Sequence, residues 1–333
     1  MSYPNVHARL RFGALLIMLA LTLSACVVPA EAPAASEAAA TTAPSAAAAG
    51  DAETVTVTHP QGEITLAKNP ANVVVFEYSA LDTLDLLGIP VVGVPQGNSI
   101  PPFLSKYQGE PYENVGSLFE PDYEKVNELQ PGLVIIGGRS AATYPDLSEI
   151  APVLDVSTTV TDVLGSMKAA WTNIGLIFDK EAEVAEHIAA IDSAVADLQA
   201  KAAASDAKAL IVMVSGGEVT AYGPGSRFGL IHDLFGIKPV VEDIETATHG
   251  DAISFEFILE HDPDIIFVID RDAALGTEGA QPAATVLDNE LMHQTKAWQN
   301  DNLVYLDGSL WYLANAGLST FQTMLAEVAA GLE

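Results

Sequence analysis

Beyond residue 11 the chain of 333 residues holds three arginines: Arg139 in VIIGGR, Arg227 in YGPGSR and Arg271 in IIFVIDR. Each closes a short apolar or glycine-rich segment. Acidic residues outnumber basic ones 44 to 14, for a formal net charge of -30, so arginine here is not used to balance the surface. A guanidinium is planar and permanently charged, and its fixed fork of donors suits carboxylate, phosphate or another anionic oxygen group. Three such forks at predicted strand ends point to a cleft built for a compact anion. The competing reading is that each pairs with a nearby carboxylate, with Asp270 and Asp272 at hand for Arg271.

The elements that must position these arginines are duplicated. Glu128–Arg139 (ELQPGLVIIGGR) matches Glu260–Arg271 (EHDPDIIFVIDR) as E-x-x-P-x, four large apolar residues, two variable positions and Arg. A helix end, a proline that stops it and an apolar run predict a strand buried on both faces of a parallel sheet. A second pair precedes the first in the same order. Asp85-Leu-Leu-Gly88-Ile89 leads into Val91-Val92, and Asp233-Leu-Phe-Gly236-Ile237 into Val240-Val241, each reading as a helix that ends at a glycine and enters a strand. Two pairs in one order indicate duplicated α/β lobes.

The rest fills in around them. Residues 54–58 and 63–66 alternate as a hairpin, 73–76 read as a buried strand, and Ser79 can cap the helix that follows. Strands are expected at 209–214, 265–269 and 303–306, a helix at 255–260 and a closing helix at 319–332. Val163, Met167, Ala170, Trp171, Ile174 and Phe178 recur at helical spacing over 162–178, and a second amphipathic helix carries Val184, Ile188, Ile191, Val195 and Leu198. The expected fold is α/β: two Rossmann-like lobes, 53–160 and 181–333, joined by one long helix within 161–180. Open α/β sheets bind ligands beyond the carboxyl ends of their strands, so the cleft between lobes is the expected site. Arg139 and Arg271 would enter it from opposite sides.

Residues 1–25 read as a signal peptide, with a basic start (His7, Arg9, Arg11), an apolar run too short to span a bilayer, and small residues before Cys26. Leu23-Ser-Ala-Cys26, holding the sole cysteine, resembles the lipobox of bacterial lipoproteins, which makes Cys26 the lipidation site and leaves the mature chain without a thiol. Residues 26–52 are almost wholly small and polar and form an expected flexible tether. The chain is therefore expected outside the cytoplasmic membrane, anchored by lipid. Its acidity argues against nucleic acid or anionic lipid as a partner.

Tyr222-Gly-Pro-Gly-Ser-Arg227 is a turn whose glycines let backbone approach a ligand, ahead of a helix near Gly229. His249 sits in a loop segment, ATHGDAIS, and Tyr312 in SLWYLANAG after a predicted strand. Taken singly, a loop His is usually solvated and a Tyr beside Trp311 usually packs in a core. The sequence lacks ligand spacing for zinc or manganese, and it has no G-x-S-x-G elbow, P-loop or G-x-G-x-x-G. Val214-Ser-Gly-Gly217 is the nearest thing to a nucleophile turn, which keeps an extracellular α/β hydrolase as the alternative from another class.

From residue 53 onward the chain resembles the binding proteins of ABC importers for iron-siderophores and cobalamin. It is most similar to lipoproteins for ferric catecholate siderophores of the petrobactin and enterobactin-fragment type. KNPANVVVFEYSALDTLDLLGI, ELQPGLVIIGGR, YGPGSRFGLIHDLFG, THGDAISFEFILEHDPDIIFVIDR and WYLANAGL carry the resemblance. It implies a monomeric, non-enzymatic receptor with no resident cofactor, which captures a ferric siderophore and hands it to a membrane permease with small lobe motions. It implies that Arg139, Arg227 and Arg271 contact the anionic chelate, and that His249 and Tyr312 complete the iron shell of a four-donor siderophore. Fe(III) prefers hard oxygen donors, which suits a phenolate. Gly132 departs from the motif, where Asp is usual; Asp264 keeps it in the second copy. The resemblance also implies permease docking through acidic residues, for which Asp82, Asp85 and Asp233 are candidates, although a solvated helix face explains them equally. A ferric hydroxamate, haem or cobalamin remains the alternative ligand.

Overall fold

The computed structural model describes residues 53–97, 99–244 and 250–332. The segment 1–52 with Cys26, and His249, lie outside the described residues. The first strands, β1 (Thr54–His59) and β2 (Gly62–Ala67), pair antiparallel as the expected hairpin. A five-stranded sheet follows, built from β3 (Val73–Val75), β4 (Gly93–Val94), β5 (Glu113–Asn114), β6 (Leu133–Ile136) and β7 (Val153–Asp155). All of its pairs are parallel, in the order β5-β4-β3-β6-β7.

The second sheet comprises β8 (Lys208–Ser215), β9 (Glu218–Tyr222), β10 (Lys238–Pro239), β11 (Asp251–Ala252), β12 (Ile265–Asp270) and β13 (Leu303–Leu306). Its order is β11-β9-β8-β12-β13, with β10 also pairing β8. The strands β10, β12 and β13 run parallel to β8 or its neighbour, but β9 folds back antiparallel on β8, so this sheet is mixed. Gly216 and Gly217 make that reversal in two residues, at φ of +59° and +79°. Tight hairpins demand such backbone, and side chains resist it. The Ser-Gly-Gly sequence is thus hairpin chemistry, not a nucleophile elbow.

The repeat places β6 and β12 in equivalent central positions, each flanked by parallel neighbours. Alternation does the burying. Val73, Val75, Leu133 and Ile135 enter one core, while Val74, Phe76, Val134 and Ile136 enter the other. In the second sheet Ile211, Phe267 and Ile269 join the first of these cores, and Leu210, Val212, Ile266 and Val268 form a third. Each such burial stabilises by roughly 1.5–3 kcal/mol. The second repeat pair is displaced slightly: the strands after Gly88 and Gly236 occupy 93–94 and 238–239 instead of 91–92 and 240–241.

Helix Val163–Ile177, N-capped by Asp162 through the Gly165 N–H at 3.1 Å, connects the two sheets in sequence and leads into helix Glu181–Ala204. Two details differ from expectation at helix Tyr78–Leu86. Its N-cap is Glu77, whose extended backbone lets Oε1 accept the Ser79 N–H at 3.3 Å. The Ser79 hydroxyl instead accepts the Ala316 N–H at 3.2 Å.

Asp82 also departs from its expected role. It is 4% exposed, and its carboxylate accepts the backbone N–H groups of Ser319 (2.9 Å) and Thr320 (3.2 Å) and the Ser319 hydroxyl. Thr83 accepts the Leu318 N–H at 3.1 Å. Together they cap helix Leu318–Ala330, which packs back on Tyr78–Leu86 and Glu181–Ala204. Asp82 is a joint in the fold and offers nothing to a docking partner, because capping a buried helix end uses both carboxylate oxygens.

Candidate functional site

The site is organised around Tyr312. After β13 the chain passes Asp307, whose side chain accepts the Ser309 N–H at 2.8 Å, and turns through a single π-helical turn, Ser309–Leu313. Such turns are rare and recur at functional positions. Two contacts fix it. Gly308 lies so close to the start of helix Arg271–Leu275 that a Cβ there would fall 2.5 Å from the Asp270 carbonyl oxygen. Buried Trp311 donates its indole N–H to Glu327 at 2.7 Å, tying the turn to the C-terminal helix. Tyr312 is left half-buried between the two sheets' strand ends.

All three arginines meet it. Arg139, past β6 and two glycines, donates from Nη2 to the Tyr312 carbonyl at 2.5 Å. Arg227, from the turn between β9 and helix Leu230–Asp233, donates to the same carbonyl at 2.7 Å. Arg271, the first residue after β12, donates from Nε to the Tyr312 hydroxyl oxygen and from Nη1 to the Ser215 hydroxyl, both at 2.9 Å. Their guanidinium carbons stand 5.5, 4.3 and 5.3 Å from the Tyr312 ring centre, close enough for cation–π attraction.

No carboxylate among the described residues lies within ion-pair distance of these guanidiniums. The carboxylates expected to serve Arg271 are used on backbone instead. Asp270 accepts the N–H groups of Ala273 (2.9 Å) and Ala283 (2.7 Å), and Asp272 accepts that of Gly216 (2.6 Å). Asp233 accepts the Gly225 N–H at 2.6 Å and so braces the turn that carries Arg227. Asp85 is partly exposed, pairs with Lys106 and accepts the Tyr107 hydroxyl at 2.7 Å.

The cluster is electrostatically loaded. Every guanidinium lies within 5.5 Å of one ring centre, so no two are more than about 11 Å apart. At an effective dielectric constant of about 20, that separation gives at least about 1.5 kcal/mol of repulsion per pair. Burial and the Arg139 charge both hold the Arg227 guanidinium below its ordinary value. Burial raises the Tyr312 phenol, but the Arg271 hydrogen bond and the charges of Arg271 and Arg227 outweigh it and leave it below an ordinary tyrosine. Burial instead pushes the phenols of Tyr78, Tyr107, Tyr222 and Tyr305 up. The unpaired cations call for an anion, and the Tyr312 hydroxyl stands beside them, bonded to Arg271.

A cavity of about 620 Å³ opens from Arg139 and Arg227, walled by Glu77, Ser79, Thr83, Val163, Trp171, Ile174 and Ala316. Arg271 and Tyr312 do not line it; they adjoin it through the two arginines bonded to the Tyr312 carbonyl. Among the described residues no group of three His, Cys, Asp or Glu could hold a metal ion. No helix among them is long and apolar enough to cross a membrane. Sequence reasoning singled out Ser215 only as a possible nucleophile and not as a partner of Arg271, and it missed Glu77, although Gly137 marked a close approach there.

The chain is similar to known proteins over most of its length. It is 40% identical over 285 residues to the petrobactin-binding protein YclQ of Bacillus subtilis, covering 84% of this chain and 89% of that protein. The crystal structure of YclQ superposes with a TM-score of 0.80, covering 84% of this chain and 99% of that one. The periplasmic catecholate-siderophore binding protein VctP of Vibrio cholerae is 35% identical, with a TM-score of 0.80 and coverage of 84% and 100%. The ferric-anguibactin-binding protein FatB of Vibrio anguillarum is 31% identical over 285 residues, covering 84% of this chain and 88% of that one. The sequence pattern of the family described as periplasmic binding protein matches residues 73–310. With arginines from both sheets converging on one interlobe tyrosine, the chain belongs to the periplasmic binding protein family.

Proposed function

We propose that the protein is an extracytoplasmic receptor that holds a ferric catecholate siderophore in the interlobe cleft and delivers it to an ABC permease. The observation that carries this reading is the convergence of Arg139, Arg227 and Arg271 on Tyr312 with no carboxylate among the described residues to neutralise them. A ferric bis-catecholate is an anion with oxygen-rich edges, which matches three guanidinium forks. It also leaves two iron positions open. Tyr312 would fill one of them, and His249 the other. The relatives' names, for petrobactin, ferric anguibactin and catecholate siderophores, support the same ligand class. A lipid on Cys26, with residues 27–52 as tether, would keep the receptor at the membrane. Asp85 and Asp233, on the helices of the two repeats, are the docking candidates left once Asp82 is committed to the fold.

Titration of the purified protein with a ferric bis-catecholate and with a neutral ferric trihydroxamate tests this. Fluorescence of Trp171, in the cleft wall, reports binding. The catecholate is expected to bind roughly 100-fold more tightly, because only it supplies the charge the arginines lack. Equal affinities, or preference for the hydroxamate, would contradict the assignment.

A further inference from the structure

The arginine cluster does not account for the other charge in the cleft. Glu77 lines the same cavity as Arg139 and Arg227, and it is 8% exposed. One oxygen, Oε1, accepts the Ser79 N–H and caps the helix. Among the described residues no Lys, Arg or His lies within ion-pair distance of the carboxylate. The other oxygen has no protein partner among the described residues and is not sealed from solvent, so it is free to meet a group on a ligand in the cavity.

The backbone makes room for it deliberately. A Cβ at position 137 would overlap the Glu77 carboxylate, so the first glycine of Gly137-Gly-Arg139 admits this side chain. One loop therefore seats a carboxylate and delivers a guanidinium to the same cavity. The same wall also presents apolar surface from Val163, Ala170, Trp171 and Ile174, and Phe119 and Val160 there are more than half exposed.

We propose that Glu77 is a specificity-determining residue that binds a protonated amine on the ligand, away from its anionic iron centre. This rests on the ferric-chelate reading above and narrows it. The ligand is then a zwitterionic chelate: an anionic metal centre for the arginines, a hydrocarbon or aromatic linker for the apolar wall, and an ammonium for Glu77. The ammonium supplies the missing cation, and the hydrogen-bonded pair forms where water is largely excluded.

The test uses two ferric bis-catechol chelates whose linkers differ only in a secondary amine against a methylene. Wild-type protein is expected to prefer the amine chelate by about tenfold. Glu77→Gln keeps an acceptor for the Ser79 N–H, and it is expected to weaken the amine chelate about tenfold while leaving the methylene chelate within about threefold. Gly137→Ala displaces the carboxylate without removing it and should give the same amine-selective loss. Equal loss for both chelates would reduce Glu77 to a helix cap and overturn the inference, as would no change in either. If wild-type protein binds neither chelate, the ferric-chelate reading itself fails, and this one with it.

Discussion

Replacing Arg139 and Arg227 together by glutamine is expected to weaken binding of a ferric bis-catecholate about a thousandfold while leaving folding stability within about 1 kcal/mol of wild type. Each guanidinium removed from a desolvated charge contact costs binding about 2–5 kcal/mol, and two such losses reach that range. Stability behaves differently because the unliganded cluster opposes itself. The double change abolishes all three repulsive pairs, each at least about 1.5 kcal/mol. It also removes two charge-assisted hydrogen bonds to the Tyr312 carbonyl, worth about 1.5–3 kcal/mol each. The two sums nearly cancel. Ligand titration and urea unfolding of the same variant separate the effects. Affinity within tenfold of wild type, or a stability loss like that of a core truncation, would show that the arginines serve the fold and not the ligand.

Asp82→Ala is expected to do the reverse, lowering unfolding free energy by about 3 kcal/mol. Its carboxylate holds the first N–H groups of helix Leu318–Ala330 from a helix of the other repeat, so truncation strands donors that the buried site cannot rehydrate. Binding should weaken only modestly, since no cleft contact is lost. The pH dependence has a defined sign. Burial pushes the Asp82 carboxyl above its ordinary value, against the hydrogen bonds it accepts and with help from Asp85. Its protonated form is therefore favoured on folding. That increment of stability is full below the unfolded value near 4 and is lost as pH rises through the folded one. Asp82→Asn removes this dependence while keeping one acceptor. Urea midpoints across pH 3–7 check both variants; an Asp82→Ala midpoint equal to wild type would mean that the joint contributes nothing.

The central strands were legible because the repeat wrote them twice. Glu128–Arg139 and Glu260–Arg271 each give a proline stop and an apolar run, and β6 and β12 follow directly. The convergence of Arg139 and Arg271 was legible from the same repeat, since both follow the carboxyl ends of central strands. Their target was not. Recognising that two guanidiniums bond the Tyr312 carbonyl requires the π turn, and that turn depends on Gly308 meeting Asp270, a contact between residues far apart in sequence. Asp82 was misread for a similar reason: an acid on an amphipathic helix looks solvated until the helix end that it caps, 237 residues away, is in place. Ser79 gave way to Glu77 because the helix begins at Tyr78, earlier than expected, which places Ser79 inside the first turn and leaves its hydroxyl for Ala316. The antiparallel β9 was hidden by the expectation of parallel strands, although Gly216-Gly217 marked its turn.

The most direct measurement is the visible charge-transfer band of the ferric bis-catecholate bound to wild-type protein and to Tyr312→Phe. The phenol of Tyr312 is held below its ordinary value by Arg271 and Arg227 against burial, and under the proposed function it would bind iron as phenolate. Wild-type protein is expected to shift the band on binding. The Phe variant should still bind, through the three arginines, without that shift. An identical shift in Tyr312→Phe would contradict tyrosinate ligation and leave the arginine cluster as the whole of the site.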